Sequence, residues 1–360
     1  MFDNIVNICS CLEIGDGVGN IVRDYSIILS ENNIKNCILY EYLNPKYQTP
    51  ELCLYHVDTL NEHITSRTLV IYHKSNYSDI SSRIIELKCA KILLWYNMTP
   101  PEFFKPYNTS MFDLAKRSIR EVASLAPFFP YSWGNSDYNC DDLRKMGYKK
   151  ADTLHFPYDF SRFTRNLTST KIEKKKNEIN ILFVGRLAPN KRQEDIIRAF
   201  YYYHKLNPDS RLTLVGHHTI FDNYKQELQQ LAKSLSLPVY FTGKISLYEL
   251  ITYYKTADLF LCMSEHEGLN IPLLEAMYFE VPIIAFNSSS IAEGMGNAGI
   301  IFHQKNFPYV AHLINFVLND STLIESMKDS GKQRVRHFDK KYCENRLISL
   351  IKNYADELNI

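Results

Sequence analysis

The stretch Phe241–Glu275, FTGKISLYELITYYKTADLFLCMSEHEGLNIPLLE, indicates how the second half of the chain folds. Asp258–Met263 is an apolar run of strand length, and Ser264–Asn270 has the composition of a polar loop. Pro272 favours the backbone angle of a first helical turn. Glu267 therefore lies at the mouth of a predicted parallel sheet, and a second glutamate follows inside the helix after seven intervening residues. An open α/β sheet binds ligands at this edge, where loop amides and a positive helix end can hold an anion.

The rest of the second half alternates between apolar strand candidates and segments with helical periodicity. Strands are predicted at Ile179–Val184, Leu212–Val215, Val239–Thr242, Leu259–Met263, Ile283–Phe286 and Gly299–Phe302. Helices are predicted at Gln193–Leu206, Tyr224–Leu235, Leu247–Thr256, Leu273–Phe279 and Tyr309–Leu318. This alternation indicates a parallel sheet with helices on both faces.

The first half repeats the alternation less regularly and predicts a second α/β domain. Its strand candidates are Ile5–Cys9, Asn36–Tyr40, Leu69–Tyr72, Ile92–Trp95 and Thr153–Phe156. Its helix candidates are Gly19–Glu31, Tyr77–Leu87, Phe112–Leu125 and Asp141–Met146. We expect an N-terminal domain at residues 1–161, a polar and basic linker at 162–178, a C-terminal domain at 179–339 and a final helix at 340–360. Lys174–Lys176 in the linker could touch a membrane, although a solvated linker is the favoured interpretation.

Length and composition exclude several classes of protein. A chain of 360 residues is long enough for two α/β domains, and 45% hydrophobic with 22% charged residues is typical of a soluble globular protein. The net charge of +1 gives no indication of nucleic-acid binding. No apolar run approaches the roughly 20 residues that span a bilayer, and the N-terminus has the pattern of a first strand without a leader. The eight cysteines are scattered, which favours free thiols in a reducing cytoplasm.

Two cations and a group of glycines are candidate anion ligands. Arg186 and Lys191 follow a predicted strand and enter a helix start, so both can converge on one anion, although two solvated charges would look the same. Gly15, Gly17 and Gly19 follow the first strand, where backbone amides can approach a phosphate or sugar. A plain tight turn is the alternative, and the spacing departs from the dinucleotide fingerprint.

The motifs IGDGVGN, NMTPPEFF, FVGRLAPNK, FTGKIS and SEHEGLNIPLLEAM occur along the chain in an order that resembles one family. That family is the retaining GT-B glycosyltransferases of family four, the glycosyl transferases group 1, with their E-x7-E signature. The resemblance implies an α/β fold of the GT-B type, with two facing Rossmann-like domains and an interdomain cleft. It also implies that the last helix crosses back to the N-terminal domain.

The resemblance assigns roles to residues that match the family motifs. Glu267, Arg186 and Lys191 are the expected catalytic residues, with the glutamate beside the donor sugar and the two cations on the leaving phosphates. Glu267 could instead cap the helix that Pro272 begins. Asn270 stands where most members carry a small residue, so its amide could bind a sugar hydroxyl or narrow the pocket. The expected donor-binding residues are Gly17, Gly19, His73, Lys244, Ile245, His266, Gly268, Leu269, Asn270, Ile271 and, for the ribose, Glu275.

The first half departs from the family at one position. Tyr96 stands where related sequences carry a cleft histidine that helps to position the donor sugar. His73, after a predicted strand, is another ligand-facing candidate, although a structural histidine is the more common interpretation of such a position. Tyr96, Thr99 and Glu102 are the expected acceptor-side residues.

The expected function is that of a cytoplasmic, retaining, metal-independent hexosyltransferase. It would move a hexose, with mannose preferred, from a nucleotide-diphosphate sugar to a glycan or lipid-linked acceptor in O-antigen or capsule-type synthesis. No Asp-x-Asp pair occurs in the sequence, so we expect no metal and no cofactor. Peripheral membrane contact at the inner face through the aromatic and basic N-terminal surface is left open. The alternatives are a nucleotide-sugar epimerase or sugar phosphorylase on the same fold, and a non-catalytic nucleotide-sugar-binding protein.

Overall fold

The structure is a computed structural model that describes residues 2–13, 17–47, 51–164, 177–217 and 220–360. The chain divides into two compact units, each built around a parallel sheet. The first unit combines the chain up to Pro100 with Asp113–Tyr158 and Phe338–Ile360. The second unit combines Pro101–Phe112 with Asp159–His337.

The first unit contains a seven-stranded parallel sheet. Its strands are β1 (Asn4–Leu12), β2 (Asn36–Leu43), β3 (Leu54–His56), β4 (Thr68–Lys74), β5 (Ala90–Trp95), β6 (Tyr131–Gly134) and β7 (Ala151–Thr153). The order β3-β2-β1-β4-β5-β6-β7 reverses between β1 and β4. All seven residues of β4 are buried, as expected of a central parallel strand that is covered on both faces.

Among the described residues, five α-helices belong wholly or mainly to the first unit. They are α1 (Gly17–Glu31), α2 (Ser81–Glu86), α3 (Thr109–Leu125), α4 (Asp137–Lys145) and α12 (Lys340–Glu357). The C-terminal helix α12 packs here through Tyr354, whose ring lies 4.2 Å from that of Tyr131 and 6.1 Å from that of Phe2, measured between centroids.

The second unit contains a six-stranded parallel sheet with the Rossmann strand order. Its strands are β8 (Ile179–Val184), β9 (Ser210–Val215), β10 (Val239–Gly243), β11 (Leu259–Cys262), β12 (Ile283–Phe286) and β13 (Gly299–Phe302). The order β10-β9-β8-β11-β12-β13 reverses between β8 and β11. The carboxyl edge beside such a reversal is where open α/β sheets bind ligands.

The helices of the second unit connect these strands. They are α5 (Gln193–Leu206), α6 (Asp222–Ser234), α7 (Leu247–Thr256), α8 (Ile271–Tyr278), α9 (Ile291–Met295), α10 (Phe307–Leu318) and α11 (Ser321–Val335). The predicted fold class, α/β with two Rossmann-like units of the GT-B type, is confirmed. Within the described part of the chain, no helix combines the length and the hydropathy that a membrane crossing requires.

Several sequence-based boundaries differ from the structure. The strand predicted at Thr153–Phe156 is β7, which ends at residue 153. The short strands β3 and β6 and the helices α9 and α11 were not predicted. Gly15, Lys174–Lys176 and most of the predicted linker at 162–178 lie outside the described residues.

The segment Pro101–Phe112 also departs from the predicted division, because it clusters with the second unit and not with the first. The ring of Phe104 stacks on Phe221 with centroids 5.8 Å apart. Tyr107 packs edge-on against Tyr224 at 5.3 Å, and its hydroxyl donates to Glu227 at 2.8 Å. These aromatic contacts explain the assignment, and periodicity could not predict them.

Two glycines let the loops after β8 and β9 approach each other. Gly216 has a φ of +147°, and a Cβ built on it would lie 2.0 Å from the carbonyl oxygen of Gly185. The Gly185 amide donates to the Val215 carbonyl at 2.9 Å, and the Leu187 amide donates to the His217 carbonyl at 2.9 Å. The loop that carries Arg186 is therefore tied to its neighbour by its backbone.

We expect Gly216→Ala to lower the free energy of unfolding by about 2–4 kcal/mol, because the new methyl group meets a backbone atom at a left-handed φ. Gly294→Ala is the matched control, since its Cβ would make an ordinary 3.5 Å contact with Leu269. Urea unfolding followed by circular dichroism measures both. Equal effects of the two substitutions would contradict the assigned close approach.

Candidate functional site

The predicted site residues of the second unit gather at the carboxyl edge of its sheet, beside the reversal between β8 and β11. Arg186 and Lys191 lie in the loop after β8, and Glu267 lies in the loop after β11. Residues far apart in the chain are brought together there, because the carboxyl ends of parallel strands share one edge.

An ion pair joins these two loops. Lys191 Nζ lies 2.5 Å from Glu267 Oε2, and the glutamate side chain is only 6% exposed. A carboxylate this buried requires a partner, because removal of its charge from water costs several kcal/mol. The ammonium group carries three protons, so two remain to bind an anion.

Backbone contacts fix the Glu267 loop from two sides. Asn190 donates from Nδ2 to the His266 carbonyl at 3.0 Å and accepts from the Glu265 amide at 2.9 Å. The Glu267 amide donates to Ser289 Oγ at 2.8 Å, and the Glu267 carbonyl accepts from Ser290 Oγ at 3.1 Å. Sequence analysis missed these serines, although the run of three serines after β12 was a visible signal.

Asn270, not Glu267, caps helix α8. Its Oδ1 accepts from the Leu273 amide at 3.3 Å, and Ile271 and Pro272 form the first helical turn. Asn270 Nδ2 donates to Glu267 Oε1 at 3.0 Å. The alternative in which Glu267 serves as the helix cap is therefore wrong, and the Asn270 amide is directed at a carboxylate.

Glu275, in the first turns of α8, is also buried, with its side chain 5% exposed. Arg162 Nη2 lies 2.7 Å from Oε1, and the Tyr254 hydroxyl donates to Oε2 at 2.7 Å. Neither partner was predicted, because Arg162 lies before β8 in the predicted linker and Tyr254 lies in α7.

The remaining predicted donor residues of the second unit differ in exposure. Arg186 and Lys244 are exposed, at the carboxyl ends of β8 and β10, and Ile245, Gly268 and Leu269 are partly exposed. His266 is 6% exposed, and burial lowers its pKa to about 4. His266 is therefore neutral at neutral pH and adds no charge to the site.

A second charged cluster, which the sequence analysis did not single out, adjoins the site. Lys305 Nζ lies 2.8 Å from Asp195 and 2.7 Å from Glu265. Arg192, the residue after Lys191, also pairs with Asp195, at 3.2 Å. These pairs anchor the loops that carry Lys191 and Glu267 to α5.

The predicted residues of the first unit occupy the equivalent edge of its own sheet. Gly17 and Gly19 lie in the first turn of α1 after β1. His73, near the end of β4, is 2% exposed, and both its ring nitrogens have partners, Asn7 Oδ1 at 3.0 Å and the Tyr96 hydroxyl at 2.7 Å. Burial lowers the pKa of His73 to about 3, so the ring is neutral. A role towards a ligand would require this histidine to exchange one of its hydrogen bonds.

The three predicted acceptor residues do not form a group within one unit. Tyr96 is 9% exposed and donates to His73, and Thr99 is partly exposed in the same unit. Glu102 is exposed and clusters with the second unit. Among the described residues, no group of three or more His, Cys, Asp or Glu side chains could hold a metal ion.

Comparison with known proteins identifies one matching family and several distant relatives. Residues 164–334 match the model described as Glycosyl transferases group 1. A GDP-mannose-dependent phosphatidylinositol monomannoside mannosyltransferase of Corynebacterium glutamicum is 25% identical over 242 residues, 63% of this chain and 62% of that protein. A Campylobacter jejuni α-1,4-N-acetyl-D-galactosaminyltransferase that acts on a GalNAc-containing undecaprenol diphosphate is 28% identical over 48% of this chain and 47% of that protein. The chain thus spans about half to three fifths of the length of these curated relatives.

The solved structure of Anabaena HepE in complex with UDP and glucose shares the fold. It superimposes with a TM-score of 0.74 at 14% identity and covers 97% of this chain and 99% of that chain.

We expect Tyr254→Phe to lower the free energy of unfolding by about 1–3 kcal/mol, because the buried Glu275 carboxylate loses a donor. Tyr248→Phe, an exposed tyrosine on the same helix α7, is the control and should change stability by less than about 0.5 kcal/mol. Urea unfolding measures the stability of both variants. Indistinguishable unfolding midpoints would refute the hydrogen bond between Tyr254 and Glu275.

His73 should make the first unit sensitive to acid. Its folded pKa of about 3 lies below the ordinary value of 6.5, so the unfolded state binds more protons in this window. Stability should therefore fall as the pH falls from about 6.5 towards 3, by up to about 1.4 kcal/mol per pH unit from this residue.

The variant His73→Gln should flatten that slope, whereas His312→Gln, which changes an exposed histidine of α10, should leave it unchanged. Tryptophan fluorescence is a selective probe, because the only two tryptophans of the chain, Trp95 and Trp133, are both buried in the first unit. Parallel slopes for wild type and His73→Gln would show that the histidine is not buried in the neutral form.

Proposed function

Because residues 164–334 belong to the glycosyl transferases group 1 family, we propose that this chain is a retaining glycosyltransferase that uses a nucleotide-diphosphate sugar. The observation that carries the proposal is the buried Lys191–Glu267 pair at the reversal of a Rossmann-type sheet, with Arg186 exposed in the loop that also carries Lys191. An ion pair this buried is costly to desolvate, and its position at a ligand-binding edge supports a role towards the ligand.

The reaction breaks the bond between the anomeric carbon of the sugar and the β-phosphate oxygen. A glycosidic bond forms to the acceptor hydroxyl, and the hydroxyl proton passes to the departing phosphate oxygen, so the products are a glycoside and a nucleoside diphosphate. Arg186 and Lys191 neutralise the negative charge that develops on the diphosphate. We assign retention to attack on the same face, because Glu267 is committed to Lys191 and Asn270 and is poorly placed to act as a free nucleophile.

Glu267 supports the donor sugar in this proposal. Its remaining lone pairs can accept hydrogen bonds from sugar hydroxyls, and its charge stabilises the positive character of the anomeric carbon. Glu275 accepts from the ribose, and the loop amides of Gly268–Ile271 contact the sugar and phosphate. Diphosphate neutralisation by two side chains makes the transfer independent of a metal ion.

The substrates are proposed from the relatives. Their names specify GDP-mannose and a GalNAc-containing undecaprenol diphosphate, and HepE is bound to UDP and glucose. We propose a hexose donor, with mannose tested first, and a glycan or lipid-linked glycan acceptor of surface polysaccharide synthesis. The enzyme would then work in the cytoplasm, with the acceptor presented at the inner face of the membrane.

A panel of UDP, GDP, ADP and their sugars, measured by thermal shift, tests the donor site. A ligand at a hundred times its dissociation constant stabilises the folded state by about 2.7 kcal/mol, or a rise in Tm of about 5–10 °C. We expect one base to give this shift and Arg186→Ala to abolish most of it. Lys328→Ala, which removes a partly exposed lysine of α11 that pairs with Glu325, should preserve the shift. No shift with any nucleotide would reject the proposal.

Turnover of the selected donor separates the enzyme classes. A transferase releases the nucleoside diphosphate faster when an undecaprenol-linked glycan is added, and chelator leaves the rate unchanged. An epimerase would convert the donor sugar without acceptor, and a phosphorylase would require inorganic phosphate. Donor binding without release of the nucleoside diphosphate under any of these conditions would indicate a non-catalytic protein. Loss of transfer activity in chelator, restored only by a divalent cation, would overturn metal independence.

A further inference from the structure

Asn270 uses both ends of its side-chain amide inside the protein. The residue is 6% exposed, and its Oδ1 caps helix α8 through the Leu273 amide at 3.3 Å. Its Nδ2 donates to Glu267 Oε1 at 3.0 Å and to Cys262 Sγ at 3.5 Å. The opposite orientation would place the amide oxygen against a carboxylate and the amide nitrogen against an N–H group, so the network fixes the orientation.

The Cys262 sulfur can accept the second hydrogen bond from the Asn270 amide. Burial raises the pKa of Cys262 to about 11, and the negative charge of Glu267 adds to the effect, so the sulfur is a neutral thiol. Its proton is directed at Ser264 Oγ, 3.5 Å away. The sulfur is therefore an acceptor for the second N–H of Asn270, and both N–H groups of this amide are already in use.

The Glu267 carboxylate is held at both oxygens. Lys191 occupies Oε2 at 2.5 Å and Asn270 occupies Oε1 at 3.0 Å. A carboxylate held by a cation alone could rotate about its last torsion, which has a broad minimum. The second contact, from a neutral donor attached to the start of α8, fixes the plane of the carboxylate without competing for the lysine.

We propose that Asn270 is the positioning residue of Glu267, and that it acts on the donor sugar through this carboxylate and not by direct contact. The inference rests on the proposed function, because the orientation of Glu267 affects transfer only if this carboxylate contacts the donor sugar. The expectation that the Asn270 amide binds a sugar hydroxyl is replaced, since that amide has no N–H left to offer.

The variant Asn270→Asp isolates this role. Aspartate caps a helix as well as asparagine does, so α8 keeps its N-terminus. The new oxygen, however, faces Glu267 Oε1 where an N–H group was, which replaces a hydrogen bond by repulsion between two carboxylates. Asn306→Asp is the matched control, because Asn306 caps α10 through the Tyr309 amide at 3.1 Å and is also followed by a residue and a proline.

Turnover provides the first readout. With the nucleotide sugar selected by the thermal-shift panel, we expect Asn270→Asp to lower kcat about 100-fold, the effect of a small misplacement of a reacting group. The dissociation constant of the matching nucleoside diphosphate should stay within about threefold, because that ligand lacks the donor sugar that Glu267 contacts in the proposal. Asn306→Asp should change neither value. A kcat for Asn270→Asp equal to that of wild type would overturn the proposal.

Stability provides a second readout that needs no substrate. We expect Asn270→Asp to lower Tm by roughly 5 °C and the double variant Glu267→Gln/Asn270→Asp to recover at least half of this loss, because the glutamine can donate to the aspartate. Additive shifts would overturn the proposal. This cycle also separates the two hypotheses, because a wild type that binds no nucleotide rejects the proposed function while the Tm coupling still tests the contact between residues 267 and 270.

Discussion

The Lys191–Glu267 ion pair is the interaction on which the second unit's site depends. Burial of one carboxylate forces the chain to supply a cation within contact distance, and the two residues are 76 positions apart. Each lies in a loop after a different strand, so the pair forms only if β8 and β11 are neighbours with the same direction. The ion pair therefore couples the chemistry of the site to the strand order of the sheet.

Local constraints prepare the two loops for this pairing. Gly185 and Gly216 allow the loops after β8 and β9 to touch, and Asn190 ties its own loop to the main chain around Glu267. The first contact depends on the missing side chain of Gly216, and the second is a hydrogen bond from the Asn190 side chain to the His266 carbonyl. The rigidity of the site thus comes from the scaffold, which agrees with the general behaviour of parallel α/β sheets.

The sequence predicted the elements well but not the side-chain partners. Apolar runs such as Ile179–Val184 and Ile283–Phe286 gave strand bounds that match β8 and β12. The partners of Glu267 and Tyr96 could not be predicted, because they depend on which strand lies beside which. The placement of Pro101–Phe112 was missed for the same reason, since aromatic packing on α6 leaves no periodic pattern.

The two glutamates of the signature are held in the same way. Glu267 has Lys191 on one oxygen and the Asn270 amide on the other, whereas Glu275 has Arg162 on one and the Tyr254 hydroxyl on the other. Each buried carboxylate thus contacts one cation and one neutral donor. The spacing of seven residues places both carboxylates on one strand-loop-helix junction. Lys191, Arg162 and Tyr254, which lie outside that junction, supply the contacts that hold the two buried carboxylates in place.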